Sequence, residues 1–437
     1  MTRCKHQITH IVVDWEGIIS KLLQNVNKQE LVSQVFIGSF VFLFPVIAIL
    51  FPRSLAYIAF LPGVFLFVCQ SVNRIPLYQS HNIPLFVKVV LIWIGVCAFN
   101  IIFSSFPDES SARTLKVSLL IIAAAFGCIG YTNYSYSLKI RERLLLYAGL
   151  FLSISIIAIE LTCDLPLARM VGYEGNNLKP HIYNRSLVAV VLLAFPILYF
   201  LLNHKFDGIS KTALLIICFI ALLFYTVSIS WSQSAQLALI CAVCAGLIFW
   251  LFRGKSERYF WLILKITIIA VILCAPIIGK LLFSYIIEHP EMLDNYILKK
   301  GAAAPRLEIW SALSDLIRQK PVLGHGIGTT RELVVPSDNV YWKQETILHP
   351  HNFAIQIWLE LGLIGVVAIS FLFWHIMSFI EKIPERLLRL IALLNFLAWL
   401  TISAVGYGMW QSWWVGLSLS LLLFYMLMNK AIQKNSV

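Results

Sequence analysis

The chain is predicted to be an all-α polytopic membrane protein, a bundle of about twelve transmembrane helices with one large outer loop that contains an amphipathic helix. Three observations predict this class. Apolar residues fill 59% of the 437 positions and charged residues only 13%, against roughly 25% in soluble domains. Mean hydropathy is +0.81. Apolar stretches of about 20 residues, the length a helix needs to cross a hydrocarbon core about 30 Å thick, recur almost from end to end.

Residues 1–31 are polar and basic, with Arg3, Lys5, Lys21 and Lys28, so no cleavable signal is read there and the N-terminus is expected to stay cytoplasmic. Residues 32–283 are expected to hold nine spans, at about 32–51, 55–73, 84–104, 114–131, 144–162, 187–203, 211–228, 235–252 and 259–283. The stretch 284–352 is the large loop, and spans at about 353–376, 386–405 and 409–429 return the chain to a cytoplasmic tail at 430–437. Charge asymmetry agrees with this threading: Lys139, Arg141, Arg143, Arg253, Lys255, Arg258, Lys382, Arg386 and Arg389 fall in connections placed inside.

The net charge of +12 is therefore read as topology rather than as a nucleic-acid surface, since no basic block or RNA-binding motif accompanies it. Nine cysteines lie mostly within apolar spans, and Cys241 and Cys244 are read as packing residues because no further ligand pair stands beside them. No Walker loop, dinucleotide fingerprint, nucleophile elbow, zincin helix or Asp-x-Asp pair occurs. No cofactor is called for, and a metal-free chemistry is expected.

The outer loop is the long polar interval of the chain. Leu307, Trp310, Leu313 and Ile317 recur at helical spacing with Glu308, Ser311, Asp315 and Arg318 on other faces, which predicts an amphipathic helix lying on the membrane or on the bundle. Pro321 and Gly324 end it, and the glycines around His325 in Gly324-His-Gly-Ile-Gly328 permit a tight turn. A second outer loop, 163–186, is rich in polar and aromatic groups such as Tyr173, Glu174 and His181; it suits a sugar-binding lid or a simple solvated connection.

Candidate chemistry collects in the large loop. In His349-Pro-His351-Asn352 the proline holds the residue before it extended, so the two rings are expected to point apart. Asn352 is placed to cap a helix starting at Phe353, and His351, beside that positive helix end, is expected to stay neutral as a general base requires. Arg306 offers a permanently charged two-pronged donor set for phosphate, with snorkelling to lipid headgroups as the alternative. Glu360 lies roughly 12 Å further along its helix than Asn352 and is expected to orient His351 or Arg306, or to pair with a basic residue of the bundle. Gly362 and Gly365 are expected to allow close helix approach.

Arg306-Leu-x-x-Trp310, Pro321-x-x-Gly-x-Gly-x-Gly328, His349-x-His-Asn352 and Glu360-Leu-Gly-Leu-Ile-Gly365, in that order, resemble the O-antigen ligase and polymerase superfamily of bacterial inner-membrane proteins. The resemblance implies transfer of a glycan from undecaprenyl diphosphate to an acceptor in the periplasm, which for a ligase is a sugar of the lipid A core. It implies that Arg306 binds the diphosphate, that His349 or His351 activates the acceptor hydroxyl, and that the product is inverted. Trp310, His325 and Asn352 join the expected substrate-binding set. One departure stands out: where family members often carry an arginine after a serine, Ser232 is followed by Gln233, and Arg185 is the candidate to restore the charge. The expected partners are thus a lipid-linked glycan, a lipid A-core acceptor and membrane lipids. An O-antigen polymerase or a protein O-oligosaccharyltransferase shares the same donor, whereas a lipid-linked oligosaccharide flippase should carry its charges within the spans.

Overall fold

The computed structural model of the chain describes residues 46–48, 50–54, 64, 67–68, 85–133, 140–175, 178–202, 209–252, 254–294, 302–335, 340–342 and 346–435. The expected cytoplasmic segment 1–31 and most of the first two expected spans lie outside these residues.

Each of the other ten expected spans coincides with a helix. In order these are α1 (Leu85–Ile102), α2 (Pro107–Asn133), α3 (Ile140–Thr162), the single turn and a half of α4 (Pro166–Met170), α5 (Asn184–Leu202), α6 (Ile209–Ile229), α7 (Gln233–Leu251) and α8 (Glu257–Glu288). The large loop contributes α9 (Ala303–Gln319), and α10 (Phe353–Glu381), α11 (Arg386–Val405) and α12 (Ser412–Asn435) complete the bundle. Among the described residues eight helices are long and apolar enough to cross a membrane, and α1 and α12 add the shorter apolar stretches Leu91–Ile102 and Ser412–Leu422. Among the described residues the only β pairing is an isolated bridge between Val334 and Thr346.

Why α5 is central follows from its sequence. From Leu187 to Leu201 it is apolar on every side, and such a helix has no face to give to water. It packs against α3, α6, α7, α11 and α12, buried almost throughout, with Arg185 in its first turn. A second apolar cluster joins α1, α2 and α8 to α9 and α10, meeting the first near Phe396 and Trp399. Away from the large loop, α8, α10 and α11 are tied together by Lys265 with Glu381 and by Arg389 with Glu257 at 3.0 Å.

Helix α9 lies on the bundle, against α8 and α10, with Leu313 and Ile317 buried as their spacing predicts. Glu308, expected on a polar face, is buried instead. Its carboxylate accepts the backbone N–H groups of Val340 (2.7 Å), Tyr341 (2.8 Å) and Trp342 (2.6 Å), and so folds the far end of the loop back onto the helix.

Helix α10 is discontinuous. Gly362, with φ 61° and ψ −159°, occupies a backbone region open essentially only to glycine, and the helical hydrogen-bond ladder breaks there. In an apolar setting the freed groups need partners. The segment 321–326 supplies them: His325 and Gly326 donate to the carbonyls of Leu359 (2.8 Å) and Glu360 (2.9 Å), while Leu363 and Ile364 donate to Pro321 (2.8 Å) and Val322 (3.3 Å). The approach is so close that a Cβ on Gly324 would stand 2.5 Å from the Glu360 carbonyl carbon, and one on Gly362 2.4 Å from the Val322 oxygen. The expected helix-to-helix approach at Gly362 is therefore a contact between a broken helix and a loop laid into the break.

Gly362→Ala should destabilise the protein by at least about 2 kcal/mol, from the forbidden backbone region together with the clash. Gly95→Ala, in α1 with nothing within 4 Å of the added carbon, should leave stability unchanged or slightly raised. Thermal unfolding of the two variants in detergent separates them; equal midpoints would show that the break carries no such strain.

Candidate active site

The start of α10 is set by Asn352, whose side-chain oxygen accepts the N–H groups of Ala354 (2.9 Å) and Ile355 (3.2 Å), the cap read from the sequence. That oxygen is thereby committed to the helix end rather than to a ligand.

Immediately before the cap, His351 sits in the left-handed region with φ 56°. Residues other than glycine are uncommon there, although histidine enters the region more readily than most, and such backbone clusters at functional sites. The left-handed residue reverses the chain and brings the His349 and His351 rings to 4.1 Å between centroids, tilted by 58°. The expectation that the rings point apart is overturned. Pro350 restricts only the residue before it, His349, and the fold is made one position later.

His351 Nδ1 lies 2.6 Å from the Gly406 carbonyl oxygen. A carbonyl can only accept, so Nδ1 carries the proton and Nε2 keeps its lone pair. Burial lowers the His351 pKa below its usual 6.5, and Arg306 lowers it further, partly offset by the bond to Gly406. The cause is thus burial and a neighbouring guanidinium rather than the helix end. His349, buried and beside His351, Arg306 and Arg185, is driven to about 3, and its Nδ1 has no hydrogen-bond partner.

The segment after α11 assembles these groups. Arg306, from the first turn of α9, donates through Nη1 to the Val405 carbonyl (2.9 Å); Gly406 accepts from His351; and a Cβ on Gly408 would stand 3.0 Å from His349 Cβ. Arg185 lies over the Trp413 ring at 5.9 Å. Gln233 opens α7 at the same place, for the Cβ of its neighbour Ser234 is 3.5 Å from where a Cβ on Gly406 would be. Trp310 donates from Nε1 to the Pro350 carbonyl (2.9 Å), fixing the His-Pro-His turn from the side of α9. Arg306, Arg185, His349, His351, Trp310, Asn352 and the start of α7 at Gln233 are therefore gathered at one end of the bundle.

Two expected members are elsewhere. His325 lies in the break of α10, with Nε2 3.0 Å from the Leu316 carbonyl and Nδ1 3.2 Å from Ser105 Oγ, so both ring nitrogens are used inside the fold. Glu360 touches neither His351 nor Arg306, and no basic side chain among the described residues pairs with it. Fully buried, it accepts from Gly328 N (2.7 Å), Gln356 Nε2 (3.1 Å), Thr330 Oγ1 and Trp410 Nε1. Gln356 in turn accepts the Met409 N–H at 2.8 Å. Glu360 thus supports the 405–410 segment from beneath and acts on the imidazoles only through it.

The family model described as O-antigen ligase matches residues 217–370, which contain Arg306, His349, His351 and Glu360. Across those residues the chain is similar to the O-antigen ligase family. Relatives agree across the rest of the sequence. It is 25% identical over 424 residues to a protein of Rickettsia conorii named "putative polysaccharide ligase", covering 91% of this chain and 98% of that one. A protein of the same name from Rickettsia felis is 26% identical over 427 residues, with the same coverage, and one from Rickettsia typhi is 26% identical over 336 residues, covering 75% and 77%.

Sequence reasoning passed over the 405–413 segment because it carries no charge. Its signal was aromatic density: Tyr407, Trp410, Trp413 and Trp414 crowd a short link between two spans. The outer loop after α3 is likewise ordered by an unremarked residue, Glu160, which accepts from Leu167 N (2.6 Å), Ala168 N (3.1 Å) and Tyr183 OH (2.6 Å). Among the described residues no three His, Cys, Asp or Glu side chains come together to hold a metal.

Asn352→Ala removes the cap acceptor and should cost about 1 kcal/mol of stability. Asn352→Asp, which keeps an acceptor at a positive helix end, should cost much less. Midpoints of thermal unfolding check both, and equal losses would separate Asn352 from the capping role.

Proposed function

We propose that the chain transfers a glycan from undecaprenyl diphosphate to a hydroxyl of a lipid A-core sugar, on the periplasmic face of the bacterial inner membrane. The observation that carries the proposal is the pairing of a neutral, carbonyl-oriented imidazole, His351, with guanidiniums that have no carboxylate partner among the described residues, Arg306 and Arg185. A base and an unclaimed cation pair are what transfer from a diphosphate donor demands.

In this reading His351 Nε2 takes the proton of the acceptor hydroxyl as its oxygen attacks the anomeric carbon. The bond from that carbon to the diphosphate oxygen breaks, the electron pair leaves with the diphosphate, and Arg306 and Arg185 neutralise the departing charge. Attack from the face opposite the leaving group inverts the anomeric centre. Trp310 and the Gly406 carbonyl hold the imidazole, and no step uses a metal.

His351→Ala should lower transfer by about 10²- to 10⁴-fold, and Arg306→Ala should abolish it in cells. Lipopolysaccharide from either variant, run on a gel, should lose the whole O-antigen ladder while lipid-linked polymer accumulates. Products with a single repeat unit would assign a polymerase instead. Purified protein should keep its rate in the presence of a chelator.

The pH dependence has a definite sign. A base with a pKa below 6.5 is unprotonated above that value, so kcat/KM should hold steady as pH falls to 6.5 and decline only below it. An acid limb at or above 6.5 would remove His351 from the role of base.

A further inference from the structure

We infer that the Tyr407 hydroxyl is a third anion contact of the site, donating a hydrogen bond to a phosphate oxygen held between Arg306 and Arg185. The inference rests on the diphosphate-donor reading above and adds to it a residue outside the matched family region.

The geometry points there from several sides. Tyr407 stands in the middle of the segment whose neighbours hold the other groups: Val405 accepts from Arg306, Gly406 accepts from His351, and Gly408 gives room to His349. Its ring meets the Trp413 ring edge-on at 4.7 Å and 89°, and Arg185 lies over that same Trp413 ring. Arg306 and Arg185 both act on the phenol electrostatically. Arg53, in the single turn Pro52–Ser54 packed on α5 and α12, adds a further guanidinium beside Arg185.

The hydroxyl itself is uncommitted. It makes no hydrogen bond to any described residue and remains free to donate to a ligand. Arg306 and Arg185 likewise have no carboxylate partner among the described residues. Two guanidiniums and a phenol close enough to interact, with no carboxylate paired to either arginine among the described residues, are complementary to an anion with several oxygens, as a diphosphate is. Burial raises the phenol to about 12 against the pull of both arginines, so the proton needed for donation stays in place. The aromatic packing fixes the ring whether or not the hydroxyl is present, which makes the two roles separable.

The test is binding of inorganic pyrophosphate to the purified full-length protein in detergent, measured by calorimetry beside the melting temperature. Tyr407→Phe keeps the ring on Trp413 and removes only the donor. It should weaken binding by about 10- to 100-fold, the usual worth of a hydrogen bond to a charged group, with the melting temperature unchanged. In transfer assays the same variant should raise KM for the lipid-linked donor, and Arg306→Ala should lose pyrophosphate binding altogether. Parental affinity in Tyr407→Phe would overturn the inference while leaving the arginine site standing. Weakening accompanied by a lower melting temperature would overturn it too, since the hydroxyl would then act through folding. If the unaltered protein binds neither pyrophosphate nor the lipid-linked diphosphate, the donor reading falls and the inference with it.

Discussion

The carboxylate of Glu360 is the interaction on which the rest of this structure depends. A buried carboxyl group is tolerated only when its lone pairs are taken up, and here donors arrive from separate parts of the chain: Gly328 and Thr330 from the glycine-rich segment, Gln356 from the preceding turn, and Trp410 from beyond α11. Each donor brings its own stretch of backbone to the centre of the bundle. The glycine-rich segment arrives in position to fill the break in α10, and the Trp410 stretch arrives in position to present the carbonyls of Val405 and Gly406. Removing the carboxylate would strand buried donors on all of them at once. The catalytic imidazoles of the proposed reaction are thus held by a residue that comes near neither substrate nor proton.

The site combines groups that ordinarily oppose one another. Burial lowers the affinity of His351 for a proton, and the Arg306 guanidinium beside it lowers it further, which suits the base role proposed for it. Burial also lowers the pKa of Arg306, yet a guanidinium begins so high that it stays charged, which a lysine in the same place need not do. The arrangement explains why a short stretch can hold both a neutral proton acceptor and fixed positive charge. It also accounts for the strained His351 backbone, because only a reversal of the chain there puts the ring against Gly406 while Asn352 still caps α10.

Much of this was legible in the sequence, and the boundary between what was and was not has a physical basis. Features that depend on near neighbours were readable: the apolar periods of the spans, the amphipathic stripe of α9, and Asn352 two and three residues from the N–H groups it accepts. Arg306 and the histidine pair stood out as candidates because few polar groups remain in so apolar a chain. Contacts between distant residues were not. Arg306 meets Val405 across 99 positions, Glu308 is buried by a loop more than thirty residues on, and the partners of Glu360 come from both directions. The turn at His351 was misread for a different reason: proline governs the residue before it, and nothing local announces a left-handed histidine. Tyr407 was missed because an uncharged aromatic link between spans looks like packing.

The contacts that aim the imidazole and the guanidinium end on main-chain oxygens, those of Val405 and Gly406, and every amino acid carries such an oxygen. Drift in the side chain at position 405 therefore leaves the hydrogen bond to Arg306 in place, and only the steric demands of Gly406 and Gly408 limit what can replace them. Side chains along this segment can therefore change without displacing the imidazole or the guanidinium. A chain that shares only about a quarter of its residues with this one can keep both contacts whatever side chain it carries at position 405.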